Sequence, residues 1–208
     1  MAVTADSVEA AAEFDAAIER VEIRNAMTVL KTVRPYNKDD LANRLKVRWQ
    51  GATVRGRGRQ VVWDGGLRVV GNSIASFEAI NFHNHEQQCT QLTSSRIGWK
   101  SLTTGGLAGV IFELNHAEQG SLIVETKQTH FETTIAELDM RGRSFELGGV
   151  GKQISVYRLP PAGGSRSMTF DYKPADNELQ IGDNPLYVHV VQEDGHQAWS
   201  SPIYVVRK

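Results

Sequence analysis

The chain has 208 residues, of which 40% are hydrophobic and 23% charged, and a formal net charge of −1. That size and balance suit one sizeable globular core rather than disorder, and near-neutrality gives no general pull toward nucleic acid or anionic lipid. The single cysteine, Cys89, excludes an intramolecular disulfide, and no apolar run approaches the roughly 20 residues of a membrane helix.

The opening stretch MAVTADSVEAAAEFDAAIER reads as a short helix over residues 1–20. Asp6 or Ser7 supplies an N-cap, Glu9 stands three residues after Asp6, and alanines fill the interior. Its acids stand where a signal peptide needs a basic start, so a cytoplasmic setting is the expectation. From Val21 onward the period changes to two, and residues 21–208 read as one β domain.

RLKVRWQG alternates Leu45, Val47 and Trp49 with Arg44, Lys46 and Arg48, which predicts a strand with one buried and one wet face. Further strands are expected at QVVW, GVIFEL, SLIVETK, TTIAEL, KQISVYRL, SMTFDY, LYVHVVQ and PIYVV. Turn signals separate them, and Asp194-Gly195 is the strongest, suited to a primed hairpin turn. LPPAGGSRS, residues 159–167, reads as a long surface loop. Many short strands with almost no helix predict an all-β fold. Its expected form is a two-sheet antiparallel β-sandwich of jelly-roll type behind the short N-terminal helix.

Several groups invite a chemical reading. On a strand, His83 and His85 would share a face, and Cys89 or Glu86 could complete a metal site. HEQQC matches no HExxH helix or CxxC knuckle, however, and an exposed loop or strand end accounts for it more simply. Arg55, Arg57 and Arg59, spaced by Gly56 and Gly58, would line one side of an extended chain and could grip phosphates or a carboxylate-rich surface. A solvated sheet face is the simpler explanation, and without interleaved aromatics nothing favours nucleic acid. ELGGVGKQ departs from the phosphate-loop pattern and reads as a glycine turn. No GxSxG elbow occurs, and the four tryptophans, Trp49, Trp63, Trp99 and Trp199, read as core, with one or two left for sugar stacking.

Three stretches together carry a resemblance: IERVEIRNAMTVLKTVRPY, RLKVRWQGATVRGRGRQVVWDGG with GWKSLTTGG, and NPLYVHVVQEDGHQAWSSPIYV. The chain resembles the C-terminal β-rich region of large bacterial proteins whose N-terminal part looks like a PHP-type (polymerase and histidinol phosphatase) metal-dependent hydrolase. The resemblance implies a non-catalytic accessory domain whose partner is that hydrolase domain. In such proteins the metal ligands belong to the N-terminal part, and His83-Asn84-His85 lacks the acid-glycine pair that would follow the first PHP motif.

The expected role is therefore interaction. It requires no cofactor, permits a homo-oligomer, and uses the basic strip at Arg55, Arg57 and Arg59 and the strand from Trp199 to Tyr204. The alternatives are a carbohydrate- or small-ligand-binding module and a small metalloenzyme built on His83 and His85.

Overall fold

The computed structural model describes residues 15–208. Most of the expected helix over 1–20 lies outside the described residues, and its last three positions are extended, because Ile18 opens the first strand. Val21 and Ile23 alternate there as buried residues, and that burial outweighs any continuation of the helical pattern.

The chain enters as a hairpin of β1 (Ile18–Asn25) and β2 (Thr28–Val33). It continues through β3 (Arg44–Ala52), β4 (Val61–Val62), β5 (Gly65–Val70), β6 (Ile74–Ile80), β7 (Gln88–Thr93) and β8 (Arg96–Lys100). Next come β9 (Leu102–Thr103), β10 (Leu107–Leu114), β11 (Ser121–Thr126), β12 (His130–Thr134), β13 (Arg143–Glu146) and β14 (Val150–Leu159). β15 (Gly182–Gln192), β16 (Gln197–Trp199) and β17 (Ile203–Arg207) close it. Among the described residues the helical segments are three short 3-10 turns, and none is long and apolar enough to cross a membrane. The protein is all-β, with antiparallel sheets.

The described residues fall into two compact units, one of residues 37–161 and one of 15–36 with 162–208. The expected single span of 21–208 covers both. The loop at 159–167 carries the second of the two crossings between them.

The 37–161 unit holds two five-stranded sheets, ordered β13-β14-β3-β10-β6 and β12-β11-β5-β8-β7, and the small β4-β9 pair. Alternate residues of both sheets enter one core. Leu45, Val47 and Trp49 come from β3 and Val110 and Phe112 from β10, while Leu67, Val69, Ile97, Trp99, Leu122 and Val124 come from the other sheet. Trp49 of one sheet stacks on Trp99 of the other, with ring centroids 4.6 Å apart and planes at 17°. Each buried indole N–H is satisfied. Trp49 donates to Ser101 Oγ at 2.9 Å, Trp63 to Thr103 Oγ1 at 2.8 Å, and Trp99 to the Trp63 carbonyl at 2.8 Å.

The expected wet face of β3 is not wet. β3 lies between β14 and β10, and Lys46, opposite Ile111 and Tyr157, is fully buried with its ammonium 5.7 Å from the Tyr157 ring centre. A central strand with both faces covered still alternates in polarity, so the alternation carried no information about solvent. Arg158 of β14 is also buried. Its guanidinium donates to the carbonyls of Leu138, Ile135, Ala42 and Ala117, the second of which also accepts from the Leu138 amide.

In the second unit β15 pairs with β1 along one edge and with both β16 and β17 along the other. Ile18, Val21, Val188 and Val190 form its core, with Met168 and Phe170 packed against them. The expected strand at SMTFDY is absent. Residues 168–172 make no ladder and contribute apolar side chains from an irregular segment. The hairpin at Asp194-Gly195 forms, with a longer turn than the two-residue primed type. Gly195 sits at φ 90°, and the Gln192 amide reaches the His196 carbonyl at 2.9 Å.

Candidate functional site

His83 and His85 lie on the exposed loop between β6 and β7, not on a strand. Asn84 forms a local turn there. Its side chain accepts from the Glu86 amide at 3.0 Å, and its carbonyl accepts from the Gln87 amide at 2.9 Å. Cys89 follows in β7, half-buried against the core, and burial pushes its thiol up to about 11. A protonated thiol facing apolar neighbours is a poor metal ligand. Among the described residues no group of three or more His, Cys, Asp or Glu side chains is placed to hold a metal ion.

Arg55, Arg57 and Arg59 are exposed, but they occupy a loop and not the side of a strand. Gly56 and Gly58 adopt φ of 91° and 72°, which turns the chain back on itself. Thr53 closes the loop through its amide to the Arg59 carbonyl at 3.0 Å and its hydroxyl to the Gln60 carbonyl at 2.8 Å. The one-sided strip expected from the spacing is therefore bent.

A concave surface lies elsewhere, on the outer face of the β12-β11-β5-β8-β7 sheet. Leu67, Val69, Ile97, Trp99, Leu122 and Val124 are buried, so their alternating neighbours face out. Gly66 of β5 stands directly opposite Gly98 of β8, and Arg68 directly opposite Arg96. Glu125 of β11 flanks Gly66 on its other side, and Ile123 flanks Arg68. The two glycines remove side chains from the middle of the face, leaving an open groove of about 730 Å³.

The groove is fixed by local geometry. A Cβ on Gly66 would come within 2.5 Å of the Ile97 carbonyl oxygen, so a larger residue cannot sit there without moving backbone. A Cβ on Gly98 would meet only the tip of the flexible Leu92 side chain, at 2.9 Å. Lys127 at the rim is held by Asp64 at 3.0 Å, and Asp64 also accepts from the Ser101 amide. Arg68, Arg96 and Glu125 are exposed, and their side chains make no hydrogen bond or ion pair to another described residue.

The second unit carries a different polar cluster. Glu22 of β1 receives Arg20 Nε at 2.8 Å, Arg24 NH2 at 2.6 Å and His189 Nδ1 at 3.0 Å. Burial alone would raise its pKa, but the hydrogen bonds from His189, Arg20 and Arg24 and the Arg20 charge hold the carboxyl far below the usual carboxylate range. His189 Nε2 meets the Gln197 side-chain amide at 2.8 Å, and the Trp199 ring lies over the imidazole at 4.8 Å. Trp199 is 61% exposed, which corrects its expected core position, whereas Trp49, Trp63 and Trp99 are buried as expected. Glu22 gathers Arg20, Arg24 and His189, and His189 links them to Gln197, so the cluster fixes the strand edge on which Trp199 stands.

The groove residues were not singled out in the sequence, although a signal was there. GGLRVV and RIGWK each alternate buried and open positions, and together they place two glycines and two arginines on one face. The Gly65-Gly66 pair also matches a turn signal, which masks that pattern. Comparison with family models, with curated proteins and with solved structures returns no match for this chain.

Proposed function

We propose that this chain is a non-catalytic accessory module in which the two five-stranded sheets of the 37–161 unit form facing layers of a sandwich and the outer groove binds a polyhydroxylated ligand. The observation that carries the reading is the glycine-floored groove across β11, β5 and β8. Open grooves admit an extended ligand at any point along it, and exposed polar groups beside small apolar surfaces suit hydroxyl-rich molecules. Ile123 and Leu92 offer that apolar surface, and Glu125 offers hydroxyl acceptors.

By resemblance, the module serves a PHP-type metal-dependent hydrolase. Trp199, Ile203, Tyr204 and Val206 are exposed on β16 and β17, which supports this strand edge as the partner-facing surface.

The groove is tested by filling it. Gly98→Leu adds bulk where only Leu92 must yield, so the fold survives while the floor rises. In gels cast with a panel of neutral and acidic polysaccharides, the native chain should be retarded by at least one and the variant by none. A native chain that passes every gel unretarded overturns the reading.

A further inference from the structure

The groove's chemistry selects among polyhydroxylated ligands. We infer that it binds an acidic saccharide, a uronate-bearing chain, whose carboxylate is gripped by the Arg68–Arg96 pair while its hydroxyls meet Glu125. This inference rests on the groove being a binding site, as proposed above.

Arg68 and Arg96 are direct cross-strand partners on an antiparallel ladder. Like charges so placed repel one another, and no carboxylate of a described residue neutralises either guanidinium. An oxyanion lying between them relieves that repulsion, and two planar forks can each give it paired hydrogen bonds. The groove's other cation, Lys127, is already matched by Asp64.

The neighbouring row has the opposite character. Glu125 lies beside Gly66, one side-chain repeat along β5 from Arg68, a spacing of roughly 6.6 Å. A ligand spanning both rows presents an anion at one and hydrogen-bond donors at the other. A sugar ring carrying a carboxylate and free hydroxyls does both.

No Phe, Tyr or Trp lines the groove, whose only ring is the His130 imidazole, so neutral sugars and bases lack a broad stacking surface. Single-stranded DNA and polyglutamate lack the repeated hydroxyls that Glu125 would accept from. Binding energy here comes from charge-assisted hydrogen bonds and falls as salt rises.

The test measures mobility of the full chain in native gels with and without polygalacturonate, dextran, polyglutamate or single-stranded DNA, each mobility taken as a ratio to the polymer-free gel. Polygalacturonate should retard the native chain, and an Arg68→Gln, Arg96→Gln double variant should need at least tenfold more polymer for the same retardation. Both side chains are exposed, so circular dichroism should be unchanged. An Arg55→Gln, Arg57→Gln variant, with the same charge change in the closed loop, should keep native retardation.

Retardation by dextran alone, or polygalacturonate binding indifferent to the Arg68 and Arg96 changes, overturns the acidic-saccharide assignment and leaves the groove reading standing. Equal or stronger retardation by polyglutamate or DNA overturns the saccharide assignment. Retardation by none of the polymers overturns both.

Discussion

The two units use tryptophan in opposite ways. In the 37–161 unit Trp49, Trp63 and Trp99 are buried, each indole N–H has a partner, and the Trp49–Trp99 stack ties one sheet to the other. In the other unit Trp199 lies on an edge strand, stacked on His189 and open to solvent. A stacked ring is thus a core element in one case and the cover of an ionic cluster in the other. Ring stacking alone does not tell packing from presentation; what lies beneath the ring does.

The contrast should be visible in unfolding. Trp49→Ala removes the inter-sheet stack and leaves a cavity, so urea denaturation should show a loss of about 3–5 kcal/mol. Arg158→Met strands the carbonyls of Leu138, Ala42 and Ala117 and should cost about 3 kcal/mol, measured in the same way. Trp199→Ala, against these, should cost under about 1 kcal/mol, because the ring is mostly in solvent.

Acid sharpens the comparison further, with an effect expected to fall below those of the core substitutions. The folded-state pKa of Glu22 lies below its ordinary value near 4.5, so its contribution to stability is present above that value and is lost as pH falls toward the folded one. Urea midpoints should therefore drop between about pH 5 and pH 3, and Glu22→Gln should flatten that part of the profile. An unchanged slope in the variant would assign the acid limb to other carboxylates. The smallest effect concerns Cys89. With its thiol pushed up to about 11, alkylation at pH 8 should be slow in the native chain and speed up in denaturant, with no loss of stability beforehand.

Much of this architecture was legible in period-two runs. β3, β10, β14 and β15 were all visible, because long strands rich in Val, Ile and Leu leave a strong pattern. β7, with QCTQLT, and β5, opening on two glycines, were not, since polar and glycine positions on an open face look like loop. Exposure was the other blind spot. Lys46 and Arg44 belong to a central strand, and alternation cannot report whether the second face is covered.

The candidate site was missed for a related reason. His83, His85, Cys89 and the three loop arginines stand out by being adjacent in sequence, while the groove is assembled from residues on five strands. Gly66, Gly98 and Glu125 become neighbours only through register. Chemistry built across a sheet leaves no local motif.

The ladder between β1 and β15 joins Asn25 to Leu186, so the intervening strands must be synthesised before it can close. At a ribosome adding about 5–20 residues per second, β1 waits roughly 10–30 s for its partner. The 37–161 unit waits less: Arg44 of β3 pairs with Leu159 of β14, 115 positions on, which the same rate covers in roughly 6–23 s. Vectorial synthesis thus gives the inserted unit a head start, while the β1–β2 hairpin still waits for β15.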